Sequence, residues 1–153
     1  MKILEMELAL AKHFNYRMHT VITNVSWGFN IHECDVLVLS ASGYLTEIEI
    51  KTSKADLIKD KEKKHQHISS KIKALYFAIP EGNREWIEHI PERAGVIEVV
   101  SRYRCRVVRK PVLNKVDPLP EHEQQKLLRL AYLRTWTLKR NICDLIQIGA
   151  ARK

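Results

Sequence analysis

The pattern of apolar and polar positions along this 153-residue chain predicts a mixed α/β protein. Apolar residues recur at helical spacing over residues 2–14, and strand-like runs follow at 21–27, 35–40 and 44–51. A second helix is expected from Thr52 or Ser53, because either is a suitable N-cap. The later elements predicted are a strand over 74–79, a short helix over 84–90, strands over 95–100 and 103–108, and a helix from about 121. A mixed β-sheet flanked by helices accounts for this order.

The first predicted helix carries a carboxylate among its apolar positions. Leu4, Glu7, Leu8 and Ala11 share one stripe at helical spacing. A carboxylate that faces the core needs a partner or a metal ion. The alternative is that Glu7 lies at the edge of the stripe in water, and both arrangements stay open at this point.

The second and third predicted strands are expected to form an antiparallel hairpin. Ala41, Ser42 and Gly43 supply turn residues between two arms of nearly equal length. This pairing would bring Asp35, at the start of one strand, close to Glu49, near the end of the next.

The end of the third strand carries residues suited to metal-ion chemistry. Side chains alternate along a strand, so Ile48 and Ile50 are expected in the core, and the opposite face carries Glu47, Glu49 and Lys51. Taken alone, such a triplet is typical of an exposed face of ion pairs. The apolar opposite face and the lysines that follow favour a metal site instead.

These residues resemble the PD-(D/E)XK nuclease superfamily, and most closely its MmcB-like DNA-repair and phage members. The resemblance covers about residues 5–80 and is carried by ECDVLVLS at 33–40 and GYLTEIEIKTSKAD at 43–56. Cys34 stands where the superfamily has a proline, which ligates nothing. The resemblance implies a restriction-endonuclease-like fold. The length of the chain fits a single domain over residues 1–153, in which the last predicted helix forms a C-terminal extension from about 121.

The resemblance also implies an activity, which is metal-dependent hydrolysis of DNA phosphodiester bonds in repair or recombination. Asp35, Glu49 and the backbone carbonyl of Ile50 would hold Mg²⁺, for which Mn²⁺ could substitute. Lys51 would position the attacking water or neutralise the developing negative charge.

Residues outside this strand would complete the site. Glu7 is the candidate for a further metal or water contact, and Glu5 is the weaker choice. The candidates for contact with DNA are Lys54, Lys61, Lys64 and Gln66. For any single lysine here, a solvated helix face is the alternative.

The charge of the chain favours a polyanionic partner. The formal net charge is +8, and residues 51–73 contain eight lysines against three acids. A DNA-binding protein of the same fold with weak or lost catalysis is the main alternative, and a basic RNA-binding module is a third.

The strand over 103–108 alternates, and arginines 102, 104 and 106 share one face there. They would extend a phosphate track or protect an exposed edge strand. A homodimer would suit cleavage of both strands of a duplex, although no surface in the sequence indicates one.

Two further observations concern location and other metals. No stretch approaches the roughly 20 apolar residues that span a bilayer, and the N-terminus lacks a secretory signal, so a cytoplasmic protein without a membrane partner is expected. The three cysteines are far apart and form no CxxC pair, which favours a reducing interior and argues against a zinc site. His65 and His67 are two residues apart and would point in different directions on a helix, so they make a poor joint metal site.

Overall fold

A six-stranded mixed β-sheet forms the centre of the computed structural model, which describes residues 1–25, 31–60 and 67–150. The elements are α1 (Ile3–His13), β1 (Thr20–Val25), β2 (Cys34–Leu39), β3 (Leu45–Ile50), α2 (Lys54–Asp60), β4 (Ile72–Pro80), a 3-10 helix (Arg84–His89), β5 (Gly95–Ser101), β6 (Arg104–Arg109) and α3 (Glu121–Ala150). The strands lie side by side in chain order. The β3–β4 and β4–β5 pairs are parallel, and the other neighbouring pairs are antiparallel. The mixed sheet flanked by helices that the sequence predicts is therefore confirmed.

Helices cover both faces of the sheet, so the central strands are buried on both sides. On one face, α1 packs against the sheet in a cluster that includes Met6 and Ile48. On the other face, Leu57 of α2 and Trp86 of the 3-10 helix belong to one cluster. The first turns of α3 place Leu127 in another cluster on the sheet. Charged residues on the central strands are consequently shielded from solvent.

The face of α1 that packs on the sheet differs from the one that apolar spacing indicated. Met6 and Leu10 are fully buried, whereas Leu4 and Leu8 are 64% and 52% exposed. Apolar side chains occupy most sides of this helix, so their spacing alone does not select the buried face. Glu7 lies at the boundary between the two faces and is partly buried.

The β2–β3 hairpin holds Asp35 against the end of β3. Val36 pairs with Ile48, which places Asp35 just before the paired segment and across from the end of the neighbouring strand. The backbone N–H of Ile50 donates a hydrogen bond of 2.7 Å to Asp35 Oδ2. The hairpin therefore fixes one carboxylate at the position where β3 leaves the sheet.

The strand β6 lies at an edge of the sheet, and one of its arginines neutralises a buried carboxylate. Arg84 and Arg106 both donate to Glu98 on β5, whose side chain is only 1% exposed. The hydrogen bonds from Arg84, with those from Arg106, hold the pKa of Glu98 below its usual value despite burial. Arg106 therefore has a structural role as a partner of Glu98, and the two roles expected for the arginines of this strand stay predictions.

The helix α3 is long, and much of its apolar surface is exposed. Trp136 and Ile142 are 52% and 54% exposed, whereas Leu127 near the start of the helix is fully buried. Within the described ranges, no helix combines the length and apolar character needed to cross a membrane.

We predict that Gly43→Ala, in the β2–β3 turn, destabilises the protein more than Gly82→Ala does. The φ angles of these glycines are +83° and +87°, so alanine is strained by about 1–2 kcal/mol at either position. A Cβ at Gly43 would also meet Gln124 Nε2 at 2.9 Å and Pro118 Cβ at 3.1 Å, whereas one at Gly82 meets nothing within 4 Å. Urea denaturation should give a free energy of unfolding about 1 kcal/mol or more lower for Gly43→Ala than for Gly82→Ala. Equal losses would contradict close packing of this turn against α3 and the loop before it.

Candidate active site

The C-terminal end of β3 opens into a cavity of about 390 Å³ with mostly polar walls. Its polar lining comes from α1, β1, β2, β3 and α2 and from the residues next to them, namely Glu7, Asn24, Glu33, Asp35, Glu49, Lys51 and Asp56. The structure thus brings together the four side chains that the sequence marks as catalytic. Ile50, the candidate for a carbonyl ligand, also lines the cavity.

The interpretation of the β3 charges as an exposed face of ion pairs is wrong. The exposed fractions of Glu47, Glu49 and Lys51 are 0%, 2% and 3%. Their face of β3 is covered because the buried side of α2, with Leu57 and Asp60, and the ring of His67 pack over it.

Lys51 is a buried ammonium held between two carboxylates. Its Nζ donates to Glu49 Oε2 at 3.2 Å and to Asp60 Oδ1, at the end of α2, at 2.8 Å. Its backbone N–H donates to the carbonyl oxygen of Ala78 at 2.9 Å, which anchors this residue to β4. Lys51 therefore supplies a fixed positive charge beside Glu49 at the wall of the cavity.

Glu7 adds a carboxylate to the cavity from α1. Burial, and after it the charge of Asp35, raise the pKa of Glu7, while a side-chain hydrogen bond with Asn24 opposes this shift. Carboxylates that repel one another in a partly buried site are stabilised by a bound cation. Their hard oxygen atoms are the ligands that Mg²⁺ prefers, so this donor set fits the metal that the sequence predicts.

The cavity carboxylates do not form one tight cluster. Among the described residues, two groups bring three candidate ligand atoms within 4.8 Å of one another, and neither contains Glu7 or Asp35. Mg²⁺ is usually held by one or two carboxylates, with water and substrate oxygens completing its octahedron. Asp35 and Glu49 are two carboxylates of the kind that such a site uses, and both line the cavity with Glu7.

Glu5, the weaker candidate on α1, is not among the residues that line the cavity. The backbone N–H of Lys2 donates to Glu5 Oε2 at 2.9 Å, as in a helix capping box. This contact gives Glu5 a structural role at the start of α1, and Glu7 is the glutamate of this helix that reaches the cavity.

A second polar cluster lies beside the cavity, and the sequence did not indicate it. Glu47 Oε1 is 2.6 Å from His32 Nε2 and 2.7 Å from His67 Nδ1. The other ring nitrogen of His67 is 2.6 Å from Asp60 Oδ2. Because Asp60 also accepts a hydrogen bond from Lys51, a continuous polar network connects this cluster to the cavity.

Charge within this second cluster is balanced by mutual contacts. Burial alone would lower the pKa of His67, but its hydrogen bonds with Asp60 and Glu47 raise that pKa to about 9. Burial likewise disfavours a charged Glu47, yet hydrogen bonds from His32 and His67 bring its pKa below the usual value.

One signal in the sequence could have located Asp60. Leu57 and Asp60 are three residues apart and are the buried residues of α2, so the spacing places the aspartate on the packed face. No local spacing links His32 to His67, because the two lie 35 positions apart and meet only in the folded chain.

The candidates for DNA contact are only partly within the described ranges. Lys54 lies on α2 with 45% of its side chain exposed, and its Nζ is 3.6 Å from Glu88 Oε1. Outside the described residues lie Lys61, Lys64 and Gln66. Their predicted contacts stay predictions.

The fold is similar to that of a solved protein of unknown function from Silicibacter pomeroyi. The TM-score is 0.66 at 16% sequence identity, and the alignment covers 91% of this chain and 89% of the other. No family model matches the chain, and no curated protein matches its sequence. At this identity the likeness supports a shared fold alone, so membership of the PD-(D/E)XK superfamily stays a prediction.

We predict that Lys51→Met destabilises the protein far more than Lys54→Met does. The first change leaves Glu49 and Asp60 buried without their shared ammonium, and breaking a buried pair in this way costs about 3–5 kcal/mol. The second removes an exposed lysine with one long contact, which is worth less than about 1 kcal/mol. Chemical denaturation at neutral pH measures both free energies of unfolding. Similar small losses in the two variants would contradict the buried ion pairs of Lys51.

Proposed function

We propose that this protein is a metal-dependent nuclease that hydrolyses phosphodiester bonds in DNA. One observation carries the proposal. A single cavity at the end of β3 is lined by the residue types that this chemistry needs, which are Glu7, Asp35, Glu49 and Lys51. The resemblance of residues 33–56 to PD-(D/E)XK nucleases supports the same conclusion.

The proposed division of labour follows from the position of each side chain. Asp35 and Glu49 would hold Mg²⁺, which polarises a bound phosphate and lowers the pKa of its water. Glu7 lines the same cavity from α1, so its carboxylate is placed to contact the metal-bound water and accept a proton from it. Lys51 is held in place by Glu49 and Asp60, so its charge can stabilise the negative charge that develops on the phosphate.

DNA is the proposed substrate because of the distribution of positive charge. The lysine-rich run over residues 51–73 begins at the cavity itself, since Lys51 lines its wall. Lys54 follows on the exposed side of α2. A phosphate backbone entering the cavity would therefore meet basic side chains next to the metal ligands. A role in repair or recombination rests on the resemblance to MmcB-like proteins.

A DNA-binding protein with weak or no catalysis is the second candidate, and a specific observation favours it. Lys51 is almost fully buried, and Asp60 accepts a 2.8 Å hydrogen bond from the ammonium that catalysis would need. Catalysis then depends on Lys51 acting on the phosphate without leaving Asp60. The two candidates differ in cleavage and not in affinity for DNA.

We predict that the purified protein cuts plasmid or branched DNA with Mg²⁺ or Mn²⁺, and that Asp35→Asn and Glu49→Gln lose this activity. Each substitution removes a ligand charge and keeps the size of the side chain, so cleavage should fall by at least about 10²-fold. Glu85→Gln is the matched control, since Glu85 is exposed and is not among the residues lining the cavity. Circular dichroism of each variant checks that it is folded.

The outcomes separate the candidates. Binding of DNA without cleavage by any divalent metal would overturn the nuclease proposal in favour of the second candidate. Cleavage that survives both substitutions would place the activity elsewhere. Binding of RNA that needs no divalent ion and is unchanged in Asp35→Ala would instead support a basic RNA-binding module.

For the basic segment after α2, we predict that Lys61→Ala and Lys64→Ala each weaken DNA binding to all sequences by a similar factor. Removal of one lysine–phosphate interaction should flatten the slope of log affinity against log salt by about 0.9 for duplex DNA. Lys115→Ala, which removes the same charge from an exposed position outside this segment, is the control. Fluorescence anisotropy between about 50 and 200 mM salt measures the slope. An unaltered slope in both variants would refute the assignment.

A further inference from the structure

We propose that His32, Glu47 and His67 form a binding site for Zn²⁺, separate from the carboxylate cavity and independent of the proposed nuclease activity. One ligand atom from each of these residues lies within 4.8 Å of the other two. All three side chains are nearly inaccessible to solvent, with exposed fractions of 8%, 1% and 2%. They come from the segment before β2, from β3 and from the segment before β4, so the site exists only in the folded chain.

The chemistry of the three ligands favours a transition-metal ion over Mg²⁺. Two imidazoles and one carboxylate form a ligand set that proteins use for Zn²⁺, at about 2.0–2.2 Å from the ion. Ligand atoms around a tetrahedral ion are then about 3.3 Å apart. The two imidazole nitrogens are 2.6 and 2.7 Å from Glu47 Oε1, so an outward movement of less than about 1 Å would admit the ion. Mg²⁺ is disfavoured here, because it prefers oxygen ligands.

Glu47 offers a buried oxygen that is suited to a cation. Its Oε1 contacts both imidazoles, but its Oε2 is buried and accepts no hydrogen bond from any described residue. A buried acceptor without a partner is costly, and more so on a charged group. Both oxygens belong to one carboxylate, so a cation held by Oε1 is within reach of Oε2 as well.

Contacts behind His67 orient its ring for a metal. Its Nε2 is 2.6 Å from Asp60 Oδ2, which leaves Nδ1 directed at Glu47. A carboxylate on the second ring nitrogen is the usual outer contact of a histidine that binds zinc. Asp60 is held in turn by Lys51 at 2.8 Å, and the His67 ring packs against Phe77 with centroids 5.7 Å apart.

The neighbouring group of Glu49, Asp60 and His67 is a weaker candidate for the ion, although its ligand atoms are also within 4.8 Å of one another. The ammonium of Lys51 already contacts both of its carboxylates. The group also has one imidazole where the proposed site has two.

One of the three ligands, His67, also borders a solvent cavity. A second cavity, of about 430 Å³, is lined by Asp60 and His67 together with residues of the 3-10 helix and the loop after it.

The expectation of no zinc site rested on the spacing of the cysteines. The proposed site uses no cysteine, so its ligands were not part of that argument.

The experiment titrates Zn²⁺ into chelator-treated protein against a chromophoric zinc chelator. We expect one Zn²⁺ per chain, with affinity lowered more than about 100-fold in His32→Gln and Glu47→Gln, and about 10–100-fold in Asp60→Asn, which alters only the outer contact. Two variants should bind as the unaltered protein does. These are His122→Gln, which changes an exposed histidine, and Asp35→Asn, which alters the carboxylate cavity.

A second measurement does not depend on the folding of any variant. Co²⁺ bound to the unaltered protein should show the intense visible absorption of a tetrahedral site, and one equivalent of Zn²⁺ should abolish it. Failure to bind Zn²⁺, or only a weak octahedral Co²⁺ spectrum, would overturn the proposal and leave the cluster as a proton-bridged ion network. Loss of Zn²⁺ in Asp35→Asn, with binding retained in His32→Gln, would also overturn it by placing the ion in the carboxylate cavity. None of these outcomes bears on cleavage of DNA with Mg²⁺.

Discussion

Neutralisation of the buried charges on β3 is the constraint on which the rest of this structure depends. Glu47, Glu49 and Lys51 lie on a strand that has neighbours on both sides, and each is at most 3% exposed. Burying a charge costs several kcal/mol unless close partners compensate it. Asp60 at the end of α2 therefore lies against Lys51 and compensates its charge. The imidazole of His67 lies over β3, between Glu47 and Asp60.

This constraint also gives the end of β3 its chemical character. Lys51 is held beside Glu49, so a positive charge and a potential metal ligand share one wall of the cavity. Asp35 is fixed at the same place by the backbone N–H of Ile50. The network that neutralises β3 thus also preorganises a cavity in which a metal ion and a phosphate could meet, and such preorganisation is what electrostatic catalysis requires.

The sequence predicted the parts of the site that follow from short-range patterns. Two strands of similar length around a Gly43 turn are enough to place Asp35 near the end of β3. The prediction of which face of α1 is buried was wrong, because apolar residues lie on most sides of this helix and their spacing does not select one face. The contact of His32 with Glu47 and His67 could not be predicted, since it depends on how separate segments pack over the sheet. The burial of Asp60 was partly predictable. Its spacing of three residues from the apolar Leu57 could be seen in the sequence, but that spacing alone does not show that Asp60 is buried.

A crystal structure of the protein soaked with Mn²⁺, with the ion located by its anomalous scattering, tests the central claim most directly. The predicted result is an ion in the cavity of about 390 Å³, bound by a carboxylate oxygen of both Asp35 and Glu49. Metal–oxygen distances close to those of Mg²⁺, about 2.0–2.2 Å, are expected. No ion at this position at a saturating Mn²⁺ concentration would contradict a metal-dependent active site at the end of β3.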